Sequence, residues 1–343
     1  MENKPHALRH SAVNCCAVIA GCEDWEEIED FGVDHLDWLK KYGDFYNGIP
    51  VHDTIARVIR QINPKQFQRC FIDWMASCHN KTAGEIVAID GKTVRSSYDK
   101  SARRGAIHMV SAFSAANGVS LGQVKTEEKS NEITAIPELL KLLEIKGCLI
   151  TIEAMGCQRE FGQAIVDRDA DYLLAVKGDQ KRLKAAFEKC FSSENLNQFD
   201  GDTFSEQEKS HGRGQTRLHL VSAITKDFDE LKDDWLGLKT VAAVVCDRQI
   251  EGHPVKEPSI RYYISSAVLT AKQLADAVRS HWSIENKLHW KLDVAMKEDN
   301  SRIRRGKAAE VLSGVRHIAL NLLNAETSFK AGIKRKQKRR QEI

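Results

Sequence analysis

The sequence lacks any run approaching the roughly 20 apolar residues that cross a bilayer, so no membrane partner is expected. It lacks repeats, low-complexity segments and Pro- or Gly-rich linkers, and holds only six prolines in 343 residues. Neither a repeat array nor a long tether is therefore expected. It lacks an excess of one charge: 51 basic against 48 acidic residues leave a net charge of +3, which by itself announces no nucleic-acid partner. Its nine cysteines (15, 16, 22, 70, 78, 148, 157, 190 and 246) contain no C-x-x-C pair, so the ligand spacing of a zinc site is absent. An odd number of scattered cysteines reads as reduced, mostly buried thiols in a cytoplasmic protein. The short apolar stretch from Ser11 to Gly21 runs into Ile19-Ala20-Gly21-Cys22, a loose imitation of a lipoprotein cleavage site. Asn14 and the paired cysteines interrupt it, and a buried helix is the expectation.

What is present is an ordinary globular composition, 42% hydrophobic and 29% charged, long enough for two or three domains or one elaborated domain. Charge is unevenly spread. Residues Glu23 to Asp30 are acidic, while Arg302, Arg304, Arg305 and Lys307 form one basic group. Residues Lys334 to Arg340 form a second, in a basic tail expected over 331–343. Such groups can track a phosphate backbone, or simply be solvated.

Periodicity divides the rest. Residues 11–80 read as helical, with Trp25, Ile28, Phe31, then Leu36 and Leu39, then Ile55, Val58, Ile59 and Ile62 at helix spacing. Asp53 is placed to cap the third of these stretches. A small all-α N-terminal domain over 1–80, with a DNA-binding role, is expected. From Gly84 the pattern changes. Strands are expected over 85–90, 107–114 and 119–126, the last two joined at Asn117-Gly118. A helix over 131–145, a strand over 148–153, a helix over 158–169 and a strand over 172–177 follow. Three meandering strands and then parallel additions through helices is the order of a ribonuclease-H-like α/β core. Residues 203–266 turn β-rich again, with strands over 217–223, 240–246 and 261–266. They read as an insertion within a catalytic domain spanning 84–330.

Three acids stand out. Asp90 ends the apolar run Ile86-Val87-Ala88-Ile89, and Glu153 ends Leu149-Ile150-Thr151-Ile152. Glu285 lies in a helical stretch with Trp282, Leu288 and His289 as turn neighbours, which favours a partly buried position. Each acid alone has a plain alternative: a turn residue before Gly91, a strand-end cap, a helix-surface partner of Lys287 or Lys291. Together, carboxylates at the ends of buried strands are costly without a cation. A set of three suits two Mg²⁺ ions, with Mn²⁺ as a substitute, roughly 3.5–4 Å apart at a phosphodiester.

At these residues the sequence resembles a known family. Ala88-Ile89-Asp90-Gly91-Lys92, Lys129-Ser130-Asn131-Glu132-Ile133-Thr134-Ala135-Ile136-Pro137, Ala154-Met155-Gly156-Cys157-Gln158, Ala175-Val176-Lys177-Gly178 and His281-Trp282-Ser283-Ile284-Glu285-Asn286 look like the H-repeat-associated DDE transposases. These belong to ISAs-type bacterial insertion sequences of the IS4-like group. The resemblance runs from about Cys16 to Lys334. It implies a ribonuclease-H-like domain and Mg²⁺-dependent endonuclease cleavage and strand transfer. It also implies double-stranded DNA (element ends and target) as partner, and a homodimer on DNA because two ends must be joined. Asp90 matches the family's first catalytic Asp and Glu285 its catalytic Glu.

Three departures accompany the match. Glu153 stands where the family has an Asp. The chain opens at Met1-Glu2-Asn3-Lys4, where the family has a further helix, so a shortened DNA-binding region is expected. The wider group's Tyr-x₂-Arg-x₃-Glu-x₆-Lys signature is replaced by Val278, His281, Glu285 and Leu292. Residues expected near DNA phosphates are Lys92, Lys177, Arg213 beside His211-Gly212, Arg217, His281, Arg302, Arg304 and Arg305. For His108, in the second strand, packing is expected rather than metal ligation. A degenerate or repurposed transposase that binds DNA without cutting is the alternative, and a nuclease of the same fold without joining is a third.

Overall fold

The computed structural model describes residues 4–79, 81–100, 102–127, 132–196, 199–210, 213–250 and 258–341. In chain order the elements are α1 (Lys4–Ala20), α2 (Trp25–Asp34), α3 (Leu36–Leu39), α4 (His52–Gln61), α5 (Pro64–Cys78), β1 (Ile86–Thr93), β2 (His108–Ser114), β3 (Val119–Lys125), α6 (Glu132–Leu142), β4 (Leu149–Ile152), α7 (Arg159–Val166), β5 (Asp171–Val176), α8 (Lys181–Cys190), α9 (Ser193–Leu196), β6 (Asp202–Ser210), β7 (Arg213–Ala223), β8 (Thr240–Ile250), β9 (Ser259–Ser265), α10 (Ala271–His281), a π turn (Ile284–His289), α11 (Trp290–Val294), α12 (Ala308–Ala325) and α13 (Ile333–Gln341). The fold is mixed α/β. Its order of hairpin, helix, strand, helix and strand is the one expected of a ribonuclease-H-like core.

Two compact units interleave along the chain. One, the helical unit, takes residues 1–80, 91–135 and 284–343; the other, the sheet unit, takes 81–90 and 136–283.

In the helical unit, α1 packs on α2, α4, α12 and α13, and α5 packs on β3 and α12. The central helix is α12, where Val311, Leu312, Val315, Ala319, Leu320 and Leu323 recur at helix spacing and are buried. Asn321 ties it to the hairpin: its Oδ1 accepts from the Ser120 N–H at 2.9 Å and its Nδ2 donates to the Ser120 carbonyl at 2.8 Å. Asp53 is not a cap. α4 begins one residue earlier, at His52, with Val51 as its N-cap. The N-terminal donor is satisfied by Glu29, whose Oε2 accepts from the His52 N–H and meets its Nδ1, both at 2.7 Å. The basic segment 333–341 is a helix rather than a loose tail.

In the sheet unit, β1 runs parallel to β4 and β4 parallel to β5. β9 then pairs antiparallel with β5, β8 with β9, β7 with β8 and β6 with β7. The β-rich region is therefore continuous with the core sheet through β9, not a separate layer. Strand β6 was not legible, because Asp202–Ser210 holds one large apolar residue, Phe204, and ends the sheet. Parallel strands covered on both faces read as unbroken apolar runs; Val87, Ala88, Ile89, Ile150 and Ile152 are all buried. Helix α10 lies over β4, β6 and β7, and Leu274, Ala271 and Ala277 join Leu149, Leu173, Val221, Val244 and Tyr263 in one core. Its start is fixed by a capping box: Thr270 Oγ1 accepts from the Gln273 N–H and Gln273 Oε1 from the Thr270 N–H.

All nine cysteines are free thiols. Burial pushes the Cys15 thiol up to about 12 and raises those of Cys148 and Cys157. Among the described residues, no helix is long and apolar enough to cross a membrane.

Candidate active site

Strand register brings Asp90 and Glu153 together. On the parallel pair β1 and β4, Ile89 stands opposite Ile152. The acid is the next residue in each case, so Asp90 and Glu153 stand side by side. Glu153 directly follows β4, but Asp90 lies inside β1, which continues to Thr93 rather than stopping where its apolar run stops at 90. The backbone at Glu153 is still extended, at φ −67° and ψ 172°. The chain then turns sharply through Ala154–Gly156, with the Gly156 N–H donating to the Glu153 carbonyl at 2.8 Å. Gly156 is required there: a Cβ would stand 2.2 Å from Ile152 Cγ2. Asp90 is half-buried and Glu153 is exposed. Among the described residues, no hydrogen bond or salt bridge engages the Glu153 carboxylate.

Beside Glu153 is a cavity of about 230 Å³, lined among others by Lys177, Arg261, Tyr262, His281 and Trp282. Lys177 follows β5 and is exposed. His281 ends α10, and its Nδ1 lies 2.9 Å from Thr151 Oγ1, one strand position from the Ile152 that precedes Glu153. The Arg261 guanidinium lies 5.4 Å from the Trp282 ring centroid, a cation–π distance. Two of the cationic residues expected from sequence, Lys177 and His281, thus share this cavity with Glu153. For Arg261 the sequence shows only a place in a strand and no signal of a site.

The third acid belongs to the helical unit. Glu285 is not partly buried as its α-helical neighbours implied; its side chain is 55% exposed. The cause is local. Residues Ile284–His289 form a π turn, whose i→i+5 bonding rotates successive side chains away from α-helical positions. Ile284, Leu288 and His289 take the buried side. His289 Nδ1 remains 3.8 Å from Glu285 Oε1. Such single π turns often occur at functional sites.

The residue after Asp90 is equally constrained. A Cβ on Gly91 would lie 2.1 Å from Glu132 Oε1 and 2.4 Å from His108 Nε2. These two atoms pair at 2.9 Å, and His108 Nδ1 lies 2.9 Å from Thr93 Oγ1. His108 therefore holds local structure, as expected. Residues Lys129 to Asn131 of the same motif lie outside the described residues.

Lys92 was expected at a DNA phosphate, but its surroundings differ. Its side chain is 10% exposed, and its Nζ meets Asp293 at 2.7 Å and Glu298 and Asp299 at 3.1 Å each. Burial would lower the ammonium pKa, but the Glu298 and Asp293 charges outweigh it and hold the value above normal. Burial raises the Asp293 carboxyl despite Lys92. Burial would raise the Glu298 carboxyl, but the Lys92 and Arg316 charges outweigh it and hold it low. His317 beside it is pushed down to about 4 by burial. Three carboxylates therefore occupy the ammonium that a phosphate would need.

The remaining basic residues divide. Arg217 is paired with Glu206 at 3.3 Å and Glu208 at 3.0 Å, so it reads as a neutralised sheet-surface cation. Arg213 begins β7; its side chain and residues His211 and Gly212 lie outside the described set. Arg302 and Arg305 are exposed, whereas Arg304 donates from Nε to the Ser96 carbonyl at 2.7 Å and lies over the Tyr98 ring at 4.3 Å.

Residues 81–322 match the transposase DDE domain, residues 3–75 match the region described as DDE_Tnp_1-associated, and the chain belongs to the DDE transposase family. Family membership implies use of a divalent metal. Over 325 residues the chain is 58% identical to "Putative transposase YncI" of Escherichia coli O157:H7, covering 94% of this chain and 83% of that one. It is 55% identical over 326 residues to "H repeat-associated putative transposase YhhI" of Escherichia coli K12, covering 94% and 86%. The resemblance carried by the motifs is thereby borne out. A shorter match, 76% identical over 46 residues (13% of this chain, 55% of that one), is to "Inactive transposase YbfQ" of the same strain.

Proposed function

We propose that this chain cleaves and joins DNA strands for a bacterial insertion sequence, with Asp90, Glu153 and Glu285 as its catalytic and metal-binding acids. The observation that carries the reading is the β1–β4 register, which supports a paired role for Asp90 and Glu153. Both offer hard oxygen donors, as does Glu285, and such donors suit Mg²⁺, with Mn²⁺ able to replace it. Held by these acids, two such ions would supply activation of an attacking water or 3′-hydroxyl and stabilisation of the leaving oxygen. Lys177 and His281, lining the cavity beside Glu153, are suited to holding DNA phosphates close to the acids. His289, buried against the π turn, steers the Glu285 carboxylate. The partner is double-stranded DNA, at element ends and at the target. The protein works as a homodimer on DNA, because two ends must be joined, and the helices of residues 1–80 contribute DNA binding.

A second reading is favoured by one residue. Glu153 is one methylene longer than Asp, which displaces its carboxylate by about 1.5 Å, and a 1 Å misplacement can cost ~100-fold in rate. A chain with that defect binds DNA without cutting it. One experiment separates the two: wild-type protein and Glu153→Asp are each incubated with duplex DNA carrying the element's ends and Mg²⁺ or Mn²⁺. Cleavage and joined products from wild type support the transposase. Cleavage by Glu153→Asp alone supports decay through this residue. Salt-sensitive binding by both with no cleavage removes the catalytic reading.

A further inference from the structure

A second feature of the helical unit is a cavity of about 270 Å³ lined by Arg60, Arg302, Ile303, Arg304 and Arg305 together with Asp24, Trp25 and Glu26. Its lining carries four arginines and two acids. Among the described residues, the side chains of Arg60, Arg302 and Arg305 have no hydrogen bond or ion pair. Arg60 Nε is moreover shielded from solvent and lacks an acceptor. A buried unsatisfied donor on a charged group is costly, because its desolvation is uncompensated. Asp24 does not relieve it: Arg60 Nε has no acceptor, and Asp24 Oδ1 caps α2, accepting from the Glu27 N–H at 2.9 Å.

The loop that carries the arginines is held in place. Arg104 donates from Nη1 to the Gly306 carbonyl at 2.6 Å and from Nη2 to the Arg304 carbonyl. Arg304 is fixed to Ser96 and Tyr98, as described above, and Ile303 is buried between the two flanking arginines. Gly306, at φ +60°, lies against the Arg60 stem, where a Cβ would meet its carbons at 3.7 Å. Arg104 and Arg304 thus position the loop, while Arg60, Arg302 and Arg305 remain free donors. Guanidinium forks match phosphate oxygens bidentately, and a fixed loop loses little entropy on binding.

From this geometry we infer that Arg60, Arg302 and Arg305 form a phosphate clamp for the DNA backbone, separate from the three acids, in which helix α4 shares a site with the 302–305 loop. The inference rests on the DNA-directed function proposed above. Arg304 is a positioning residue in it, not a contact. The clamp positions the duplex and carries no sequence preference.

The test is fluorescence-anisotropy binding of the full chain to a linear duplex in EDTA across a salt series, so that cleavage plays no part. The triple variant Arg60→Gln/Arg302→Gln/Arg305→Gln should lower the slope of log affinity against log salt by about 2–3, near 0.9 per lost phosphate contact. Affinity at moderate salt should weaken about 10- to 100-fold. Because Arg60 is half-buried, Arg302→Gln/Arg305→Gln is measured beside it, with an expected slope change of about 2 and an unchanged melting temperature. Lysine at the three positions should restore most of the slope but not all of the affinity. Wild-type binding with unchanged slopes in both Gln variants overturns the clamp and leaves the proposed function standing. No salt-dependent binding by wild type removes the proposed function itself. If inorganic pyrophosphate raises the wild-type melting temperature, the triple Gln variant abolishes that rise and DNA slopes stay equal, the pocket is a small-anion site and the DNA assignment is wrong.

Discussion

The sheet unit and the helical unit handle charge in opposite ways. The sheet unit keeps the centres of its parallel strands apolar and sets Asp90 and Glu153 side by side where the apolar runs of β1 and β4 give out. The helical unit takes charge into its interior: Lys92, Glu298, Arg316 and His317 are buried or nearly so. Its own acid, Glu285, lies outside that network on a π turn and is largely exposed. The difference teaches that a carboxylate's place in the chain does not reveal its task. Asp90 and Glu153 stand beside each other in register, whereas Asp293, Glu298 and Asp299 all meet Lys92.

Substitutions that touch the acids should separate the two uses most sharply. Asp90→Ala and Glu285→Ala are each expected to cut DNA cleavage by about 10³-fold or more while leaving duplex affinity within a few-fold. Gel assays of cleavage beside anisotropy measure both, and retained cleavage in either variant would end the three-acid reading. Lys92→Met should instead leave three carboxylates without their cation, and cost about 3–5 kcal/mol of stability in denaturant melts. A loss below about 1 kcal/mol would show the network to be solvated rather than buried.

Titration gives the next effect. His317 is neutral in the fold, with its value pushed down to about 4 by burial, against 6.5 ordinarily. The unfolded chain therefore binds the extra proton first. Stability should fall as pH drops from about 6.5 to 4, by about 3 kcal/mol from this residue. Glu298, held low, adds a further loss only as pH falls below the ordinary carboxylate range. Melting temperature against pH, compared between wild type and His317→Gln, isolates the first window; identical profiles would contradict a buried neutral imidazole.

Smaller still, Glu153→Asp should raise cleavage by about 10- to 100-fold if carboxylate reach limits the wild type. An unchanged or lower rate would mean that the longer arm suits its metal. Last, Thr270→Ala removes one half of the capping box on α10 and should cost about 1 kcal/mol. The same loss in a variant already lacking Gln273 would show that the box is not reciprocal.

Much of the sheet was legible. Unbroken apolar runs bounded by Gly84, Asp90, Gly147 and Glu153 have few alternatives to buried parallel strands, and Asn117-Gly118 marks the hairpin. The acids ending those runs stood out for the same reason. Three things were hidden. Strand β6 is too polar to announce itself, because it completes the sheet through backbone pairing rather than side-chain burial. The π turn carries the residues of an α-helix, so the sequence implies a partly buried Glu285, whereas only its i+4 neighbour His289 is kept close and the carboxylate is exposed. The fate of each cation depends on partners distant in sequence: Lys92 meets acids about 200 positions away, and Arg217 meets a neighbouring strand. A basic residue reads the same whether it is neutralised, structural or free.

Gly91 has a genetic consequence. Every glycine codon becomes an alanine codon by one base change, and alanine there would drive its methyl into the His108–Glu132 pair. The strand, the hairpin and the helices would keep their own reasons to form, so such a copy would still be made and folded. The side-chain ends would yield before any backbone did, and the His108–Glu132 pair would open beside the first acid. The letter at position 91 thus records whether that pair can form, which an inspection of the acids alone would miss.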